Sequence, residues 1–289
     1  MLTIPIILLN YNSSSDCRKC ISFLKNQKNV EIEIVVVDNC SKSEDLCLLR
    51  TLCQEEQCTL IENKENRGYN AGNNIGLRYA VRKGYKYALI TNPDMEFPQE
   101  EYLKQLVDVM EEQTEVVVIG SDIVTPEGIH QNPMMHDGNW KSSWRWIISF
   151  FKQKREDTYD FIDVYEHSHY CAKVSGCCLL VRLDFIQKID FFDESVFLYC
   201  EEAILSRQVE IAERKIYYNA TVQAIHRHVK NEKGNPAKRF KYWKESRIYY
   251  INRYSSYSWY GKWLSGISMR LYVCLLYTSP SPRDRSLSR

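Results

Sequence analysis

Ile32-Glu33-Ile34-Val35-Val36-Val37-Asp38-Asn39 decides how this chain is to be read. A nearly unbroken run of β-branched residues stops abruptly at a carboxylate and an amide. Such a run is the pattern of a strand covered on both faces. Its polar end lies where ligands meet sheets of this kind, outside the carboxyl ends of the strands. The same unit recurs on either side. Ile4 to Leu9 reads as a preceding strand, with Asp16 to Asn26 as the helix between the two. Downstream, Asp45 to Gln57 reads as a helix and Thr59 to Glu62 as a short strand. A helix over Gly72 to Lys83, a strand over Tyr87 to Thr91, a helix over Glu100 to Glu112 and a strand over Val116 to Gly120 continue the alternation. Strands separated by helices imply an α/β fold with a parallel sheet flanked by helices.

Four of the predicted strand ends carry polar clusters: Asn10-Tyr11-Asn12, Asp38-Asn39, Glu65-Asn66-Arg67 and Asn92-Pro93-Asp94. Their regularity points to a small-ligand site along one edge of the sheet. Gly68, Gly72 and Gly76 recur every fourth residue and line one helix face, which is not the GxGxxG spacing of a dinucleotide site. They suit either close helix packing or close approach to a phosphate. Asp38 could accept a hydrogen bond from a base ring N–H, or serve as a turn residue. Asp94, beyond a stiff proline turn, could meet a hard divalent cation and phosphates, or close an Asx turn. Glu201 and Glu202 follow the apolar Phe197-Leu198-Tyr199 at a helix start. Adjacent carboxylates in a partly apolar cleft repel one another and are desolvated, which makes one a candidate general base; in a first helical turn they would also favour the dipole.

Composition narrows the class. The 289 residues are 44% hydrophobic, enough for one large or two small domains. With 38 basic and 37 acidic side chains the net charge is +1, which argues against a surface built wholly to grip nucleic acid. The apolar start, Met1 to Asn10, lacks a charged leader and is too short to span a bilayer, so no signal peptide is expected. Eleven cysteines without an export signal suit a reducing, cytoplasmic setting. Cys17 and Cys20 form a CxxC with no second pair, so no four-ligand zinc set is expected.

The order of these motifs resembles the inverting family-two glycosyltransferases, above all the rhamnosyltransferase-like members that build bacterial surface polysaccharides. The resemblance runs from Ile4 to Tyr254 and rests on Asn10-Tyr11-Asn12, Val37-Asp38-Asn39 with Ser41, and Asn66-Arg67-Gly68-Tyr69-Asn70-Ala71-Gly72-Asn73-Asn74-Ile75-Gly76. It continues through Thr91-Asn92-Pro93-Asp94, Ser175-Gly176, Phe192-Asp193-Glu194, Tyr199-Cys200-Glu201-Glu202 and His226. It implies a GT-A fold, a Rossmann-like, mostly parallel sheet flanked by helices, with a helical C-terminal extension. It implies a nucleotide-sugar donor, with Tyr11 and Asp38 at the base and Asn73 near the ribose and diphosphate. Asp94 would close the acidic metal motif, with Asn92 at its first position. His226 matches a late metal or diphosphate ligand, with His228 as an alternative, and Glu202 matches the catalytic base, beside Glu201. Relatives usually carry an aspartate two residues beyond the base, where this chain has Ile204.

The implied chemistry is one in-line displacement with inversion. Glu202 takes the acceptor proton, and a magnesium or manganese ion on Asp94, with His226, neutralises the leaving diphosphate. The implied acceptor is a polysaccharide or a lipid-linked saccharide, and rhamnose is a candidate sugar. A catalytically inactive nucleotide-sugar-binding relative is the alternative that Ile204 motivates. A Rossmann-type oxidoreductase is disfavoured by the glycine spacing, and a nucleic-acid binder would rest only on the basic run from Arg227 to Arg253.

Residues 1–226 are expected to form the transferase domain, with 128–170 as an inserted acceptor-side element, and 227–273 a basic, aromatic helical extension. The last residues, 274–289, resemble a translated sequencing-library adapter and are expected to be a non-native tail. Trp140, Trp144, Trp146, Phe150 and Phe151 lie among Lys141, Arg145 and Lys152, and the stretch from Arg227 to Trp263 is rich in Lys, Arg, Tyr and Trp. Both suit an anionic membrane surface, so a peripheral position at the inner face of the cell membrane is expected.

Overall fold

A computed structural model describes residues 2–147, 163–227 and 236–278. The first half builds the predicted alternation: β1 (Thr3–Asn10), α1 (Ser14–Leu24), β2 (Glu31–Asp38), α2 (Ser43–Glu55), β3 (Thr59–Glu62), α3 (Tyr69–Arg82) and β4 (Tyr87–Thr91). Then come β5 (Met95–Glu96), α4 (Tyr102–Glu112) and β6 (Val116–Val124). After a 3-10 turn over Trp140–Trp144 follow β7 (His169–Cys171), β8 (Cys178–Arg182), α5 (Leu183–Lys188), α6 (Glu201–Ile211) and β9 (Lys215–His226). The extension forms α7 (Pro236–Arg253) and α8 (Trp259–Thr278).

The strand order is β3-β2-β1-β4-β8-β6-β9-β5, with β7 also on β9. β1, β2, β3 and β4 run parallel, as their apolar runs require. β6 does not join β4 directly, as a simple continuation of the alternation would have it. β8 lies between them, antiparallel to both, and β6 then pairs in parallel with β9. The sheet is therefore mixed but mostly parallel along its ligand-bearing half.

Alternation along β1 divides the core between two layers. Ile4, Ile6 and Leu8 pack with Cys17, Cys20, Ile21 and Leu49 on the α1–α2–α4 side. Ile7 and Leu9 pack with Leu77, Ala80 and Leu205 on the side of α3 and α6. Cys17 and Cys20 are thus core side chains, and burial raises both thiols well above their ordinary pKa.

The glycine ladder resolves in favour of packing. A Cβ on Gly72 would stand 2.5 Å from Leu9 Cδ1, and one on Gly76 2.5 Å from Ile7 Cγ2. Both meet strand side chains rather than an open ligand space, so α3 lies directly on β1. Ile204, the departure from the family pattern, is buried with Val196, Ala203, Tyr250 and Ile251 where α6 meets α7. An aliphatic side chain at that position fills the helix–helix contact that a carboxylate could not enter without a partner.

No helix among the described residues is long and apolar enough to cross a membrane. Gly76→Val should lower stability by about 1–3 kcal/mol, since a three-carbon side chain must enter a filled layer. Gly266→Ala in α8, where a Cβ meets nothing within 4 Å, should instead gain up to about 1 kcal/mol from helix propensity. Urea midpoints read both; a Gly76→Val chain as stable as the parent would contradict the tight α3–β1 contact.

Candidate active site

The carboxyl ends of β1 and β2 lie side by side, with Asn10 opposite Asp38. The Asn10 amide nitrogen is 2.9 Å from Asp38 Oδ1, 3.0 Å from Ser41 Oγ and 3.0 Å from Asp45 Oδ2. Asp38 Oδ2 accepts from the Ser41 N–H at 3.0 Å. Asp38 is therefore buried and held on two sides, while the ring of Tyr11, one residue past Asn10, stands 54% exposed above it. Asp45, which sequence reasoning took only as the start of a helix, anchors this corner by accepting from both the amide and the hydroxyl of Ser14. Burial would raise its pKa, but the hydrogen bonds from Asn10 and Ser14 outweigh it and hold the carboxyl below its ordinary value.

On α3, Asn73 is fully buried; its amide nitrogen donates to the Tyr69 carbonyl at 3.1 Å. Its Oδ1 has no hydrogen-bond partner among the described residues. Asn74 is committed elsewhere: it exchanges hydrogen bonds with the backbone of Phe192 and donates to Glu194. The start of α3 also governs the opposite wall. The Tyr69 N–H donates to the Phe197 carbonyl at 2.9 Å, and the Tyr69 hydroxyl donates to the Gly176 carbonyl at 2.5 Å.

At the end of β4, the Asn92 N–H donates to the Cys177 carbonyl at 2.8 Å. Two residues on, Asp94 Oδ2 lies 3.3 Å from Nε2 of His226, the last residue of β9. His226 Nδ1 is 2.8 Å from Gln131 Oε1. Burial would lower the His226 pKa, but the Asp94 carboxylate and the Cys177 thiol reverse this and push it up to about 10. Asp94 and His226 are thus brought together as expected; His228 lies outside the described residues. Among those residues no group of three or more His, Cys, Asp or Glu side chains forms a metal cluster. One carboxylate and one imidazole do fit a magnesium or manganese ion, because such ions commonly take one or two protein ligands and complete their shell with phosphate oxygens and water.

The two glutamates open α6, next to this corner. The Gly176 N–H donates to Glu202 Oε1 at 3.2 Å, and Gly176 precedes the Cys177 that binds Asn92 and faces His226. The chain reaches α6 through two consecutive left-handed residues, Tyr199 (φ 73°) and Cys200 (φ 66°). Non-glycine residues in that region are strained, and the strain falls immediately before the carboxylate pair. Burial, and then the charge of Glu202, raise the Glu201 carboxyl to about 8. Its Oε2 is buried with no hydrogen-bond partner among the described residues. The sequence marks both glutamates and carries Tyr69 within the glycine motif without a role, but nothing in it singles out Cys177; the two join the halves of the site through the Tyr69 hydroxyl and through backbone and thiol contacts.

Two tryptophans of the aromatic cluster pack against α8. Trp140 meets Tyr260 edge-on, with ring centroids 6.2 Å apart, and the Trp146 indole N–H donates to Ser268 at 2.7 Å. These half-buried rings pack on α8 rather than face solvent; Phe150, Phe151 and Lys152 lie outside the described residues.

Known proteins resemble this chain in sequence and in fold. The chain is 27% identical over 226 residues to the low-salt glycan biosynthesis hexosyltransferase Agl10 of Haloferax volcanii, covering 77% of this chain and 66% of that protein. It is 22% identical over 260 residues to the rhamnosyltransferase WbbL of Escherichia coli, covering 86% and 92%. Among solved structures, TarS 1-349 of S. aureus superposes with a TM-score of 0.58 at 14% identity, covering 96% of this chain and 73% of that one. GalNAc-T7 with UDP, GalNAc and Mn2+ superposes with a TM-score of 0.62 at 13% identity, covering 88% and 50%. These structural likenesses show a GT-A fold. Residues 6–173 match the glycosyl transferase family 2 domain, more than half of the chain, and the chain belongs to that family.

Proposed function

We propose that this protein transfers a sugar from a nucleoside-diphosphate sugar to an acceptor hydroxyl, with inversion, in the assembly of a surface glycan. One observation carries the reading: Cys177 and Gly176, adjacent in the chain, hold the end of β4 with Asp94 on one side and Glu202 on the other. A leaving diphosphate at Asp94 and an attacking hydroxyl at Glu202 would then flank one sugar. In this arrangement Tyr11 covers the base, Asp38 accepts from it, and Asn73 and Asn92 line the ribose and diphosphate. Asp94 and His226 would hold the divalent cation, which supplies positive charge to the leaving diphosphate.

Burial and the Glu202 charge favour the protonated form of Glu201, and the Gly176 N–H orients Glu202, so the accepting role falls to Glu202. With no protein nucleophile between donor and acceptor, a single displacement inverts the anomeric centre. The similarity to a rhamnosyltransferase makes rhamnose a candidate sugar. An inactive relative is the competing reading, and nucleotide-sugar turnover by the purified chain separates the two.

Glu202→Gln keeps the size of the side chain but cannot accept a proton. Its turnover should fall by about 10²–10⁴, with donor affinity retained. Parent-like turnover would remove Glu202 from the base position.

Asp94→Ala should weaken nucleoside-diphosphate binding chiefly when manganese is present. Calorimetry giving equal affinities for the parent with chelator and with manganese would argue for a metal-independent site.

The lipid-surface expectation transfers to α8. Trp259 and Trp263, one turn apart, are 81% and 63% exposed, and they share their groove with Lys262 and Arg270. Anionic lipid attracts such segments by about 1 kcal/mol per basic residue near the surface. Anionic vesicles should therefore co-sediment the chain at low salt and release it as salt rises. Failure to bind at low salt would exclude this face as a membrane contact.

A further inference from the structure

A cavity of about 490 Å³ lies beside the glutamate pair rather than over the nucleotide strands. α6 forms one of its walls, through Ala203, Ser206 and Arg207. The loop ahead of the 3-10 turn, the turn's Trp140, and the junction of α7 with α8 close it on the other sides. Its volume lies in the range of small-molecule sites.

Its position follows from helix geometry. Ser206 is four residues after Glu202, so the two share a face of α6 with Cβ atoms about 5–6 Å apart. The hydrogen bonds agree: Glu202 accepts from Gly176, and Ser206 donates to the Ala172 carbonyl of the same segment at 2.7 Å. A molecule placing a hydroxyl at Glu202 would have its neighbouring ring at Ser206, inside the cavity.

The lining has a definite chemistry. Trp140, Tyr257 and Tyr260 bring aromatic surface, and Trp140 is pressed against Gly261, where a Cβ would stand 3.0 Å from the indole. Asp137 supplies a carboxylate at the floor, held by Lys173 Nζ at 3.0 Å and Arg247 at 3.6 Å. Arg207 pairs with Glu210 at 2.6 Å, yet its Nε is buried with no hydrogen-bond partner among the described residues. Apolar ring faces beside fixed charged donors and acceptors match the two surfaces of a pyranose, its C–H face and its rim of hydroxyls. A lipid tail would leave the buried Arg207 Nε without a hydrogen-bond partner.

We infer that this cavity is a saccharide-binding pocket that reads the sugar of the acceptor adjoining the attacked hydroxyl. The inference rests on the transferase reading for its role, but the pocket's own chemistry is testable without it. Acceptor discrimination then lies in the loop around Trp140 and in α6, not in the strands that hold the nucleotide.

Saturation-transfer NMR on the full chain, with the methyl glycosides of glucose, galactose, N-acetylglucosamine and rhamnose as probes, tests the pocket. At least one glycoside should receive saturation. Its signal should fall at least about fivefold in Trp140→Ala and in Arg207→Gln, and recover in Trp140→Phe, which keeps an aromatic face. Arg207→Gln guards against a fold effect at Trp140, and thermal melts confirm that each variant is folded. No signal from any of the four, or signals unchanged in both folded variants, would overturn the pocket. Uridine diphosphate binding by the parent chain reports the donor site separately. Glycoside binding without nucleotide binding would sink the transferase reading and leave the pocket standing, and the reverse would do the opposite.

Discussion

Gly68 is the point on which the two halves of the site turn. Its φ of 102° lies in the left-handed region, and a Cβ there would stand 2.2 Å from the Phe197 carbonyl oxygen. Only glycine lets the backbone approach so closely. The contact permits the Tyr69 N–H to donate to Phe197, and from there α3 grips the loop ahead of the glutamates at several further points. Asn70 donates to the Asp193 carbonyl, Asn74 exchanges hydrogen bonds with Phe192, and Arg78 pairs with Glu194 at 3.0 Å. The extension ties into the same loop, since the hydroxyls of Tyr249 and Tyr254 both donate to Asp193. Glu201 and Glu202 are thus placed by a helix that packs on β1, in the parallel half of the sheet.

That clamp explains how a strained approach to α6 is tolerated. Two successive left-handed residues cost of the order of 1–3 kcal/mol each unless the surroundings impose them. Here the strained turn delivers two half-buried carboxylates to a helix start. The N-terminal dipole favours their charge, while burial and mutual repulsion oppose it. The opposition wins at Glu201, whose pKa rises. The result is an acidic pair in which one member favours its protonated form and the other sits on a backbone amide.

The antiparallel β8 has a comparable role. By inserting between β4 and β6 it carries Gly176 and Cys177 to the end of β4, a place that no parallel continuation of the alternation would have brought them. The Asp94–His226 corner and Glu202 therefore meet two consecutive residues, which limits how far apart these groups can stand.

The sequence by itself determined the alternation of strands and helices, because buried parallel strands must be apolar throughout and must end in polar residues wherever a ligand is met. It also marked Asp38, Asp94 and the glutamate pair as polar candidates at strand and helix ends, and His226 through the order of motifs that resembles the family. The role of the glycine ladder was open, since a spacing of four says which face is bare but not what lies against it; only the placement of Ile7 and Leu9 showed that face to be filled by β1. The tryptophans were equally ambiguous, because aromatic and basic residues suit a lipid surface or a protein cleft alike until α8 is seen to cover them. Ile204 looked like a missing carboxylate and is a buried contact with α7. The roles of Asp45, Tyr69 and Cys177 could not be read there, because they act through partners 31 to 128 residues away. Contacts over such separations arise from the closing of the sheet and the docking of α6, and tertiary structure alone decides them.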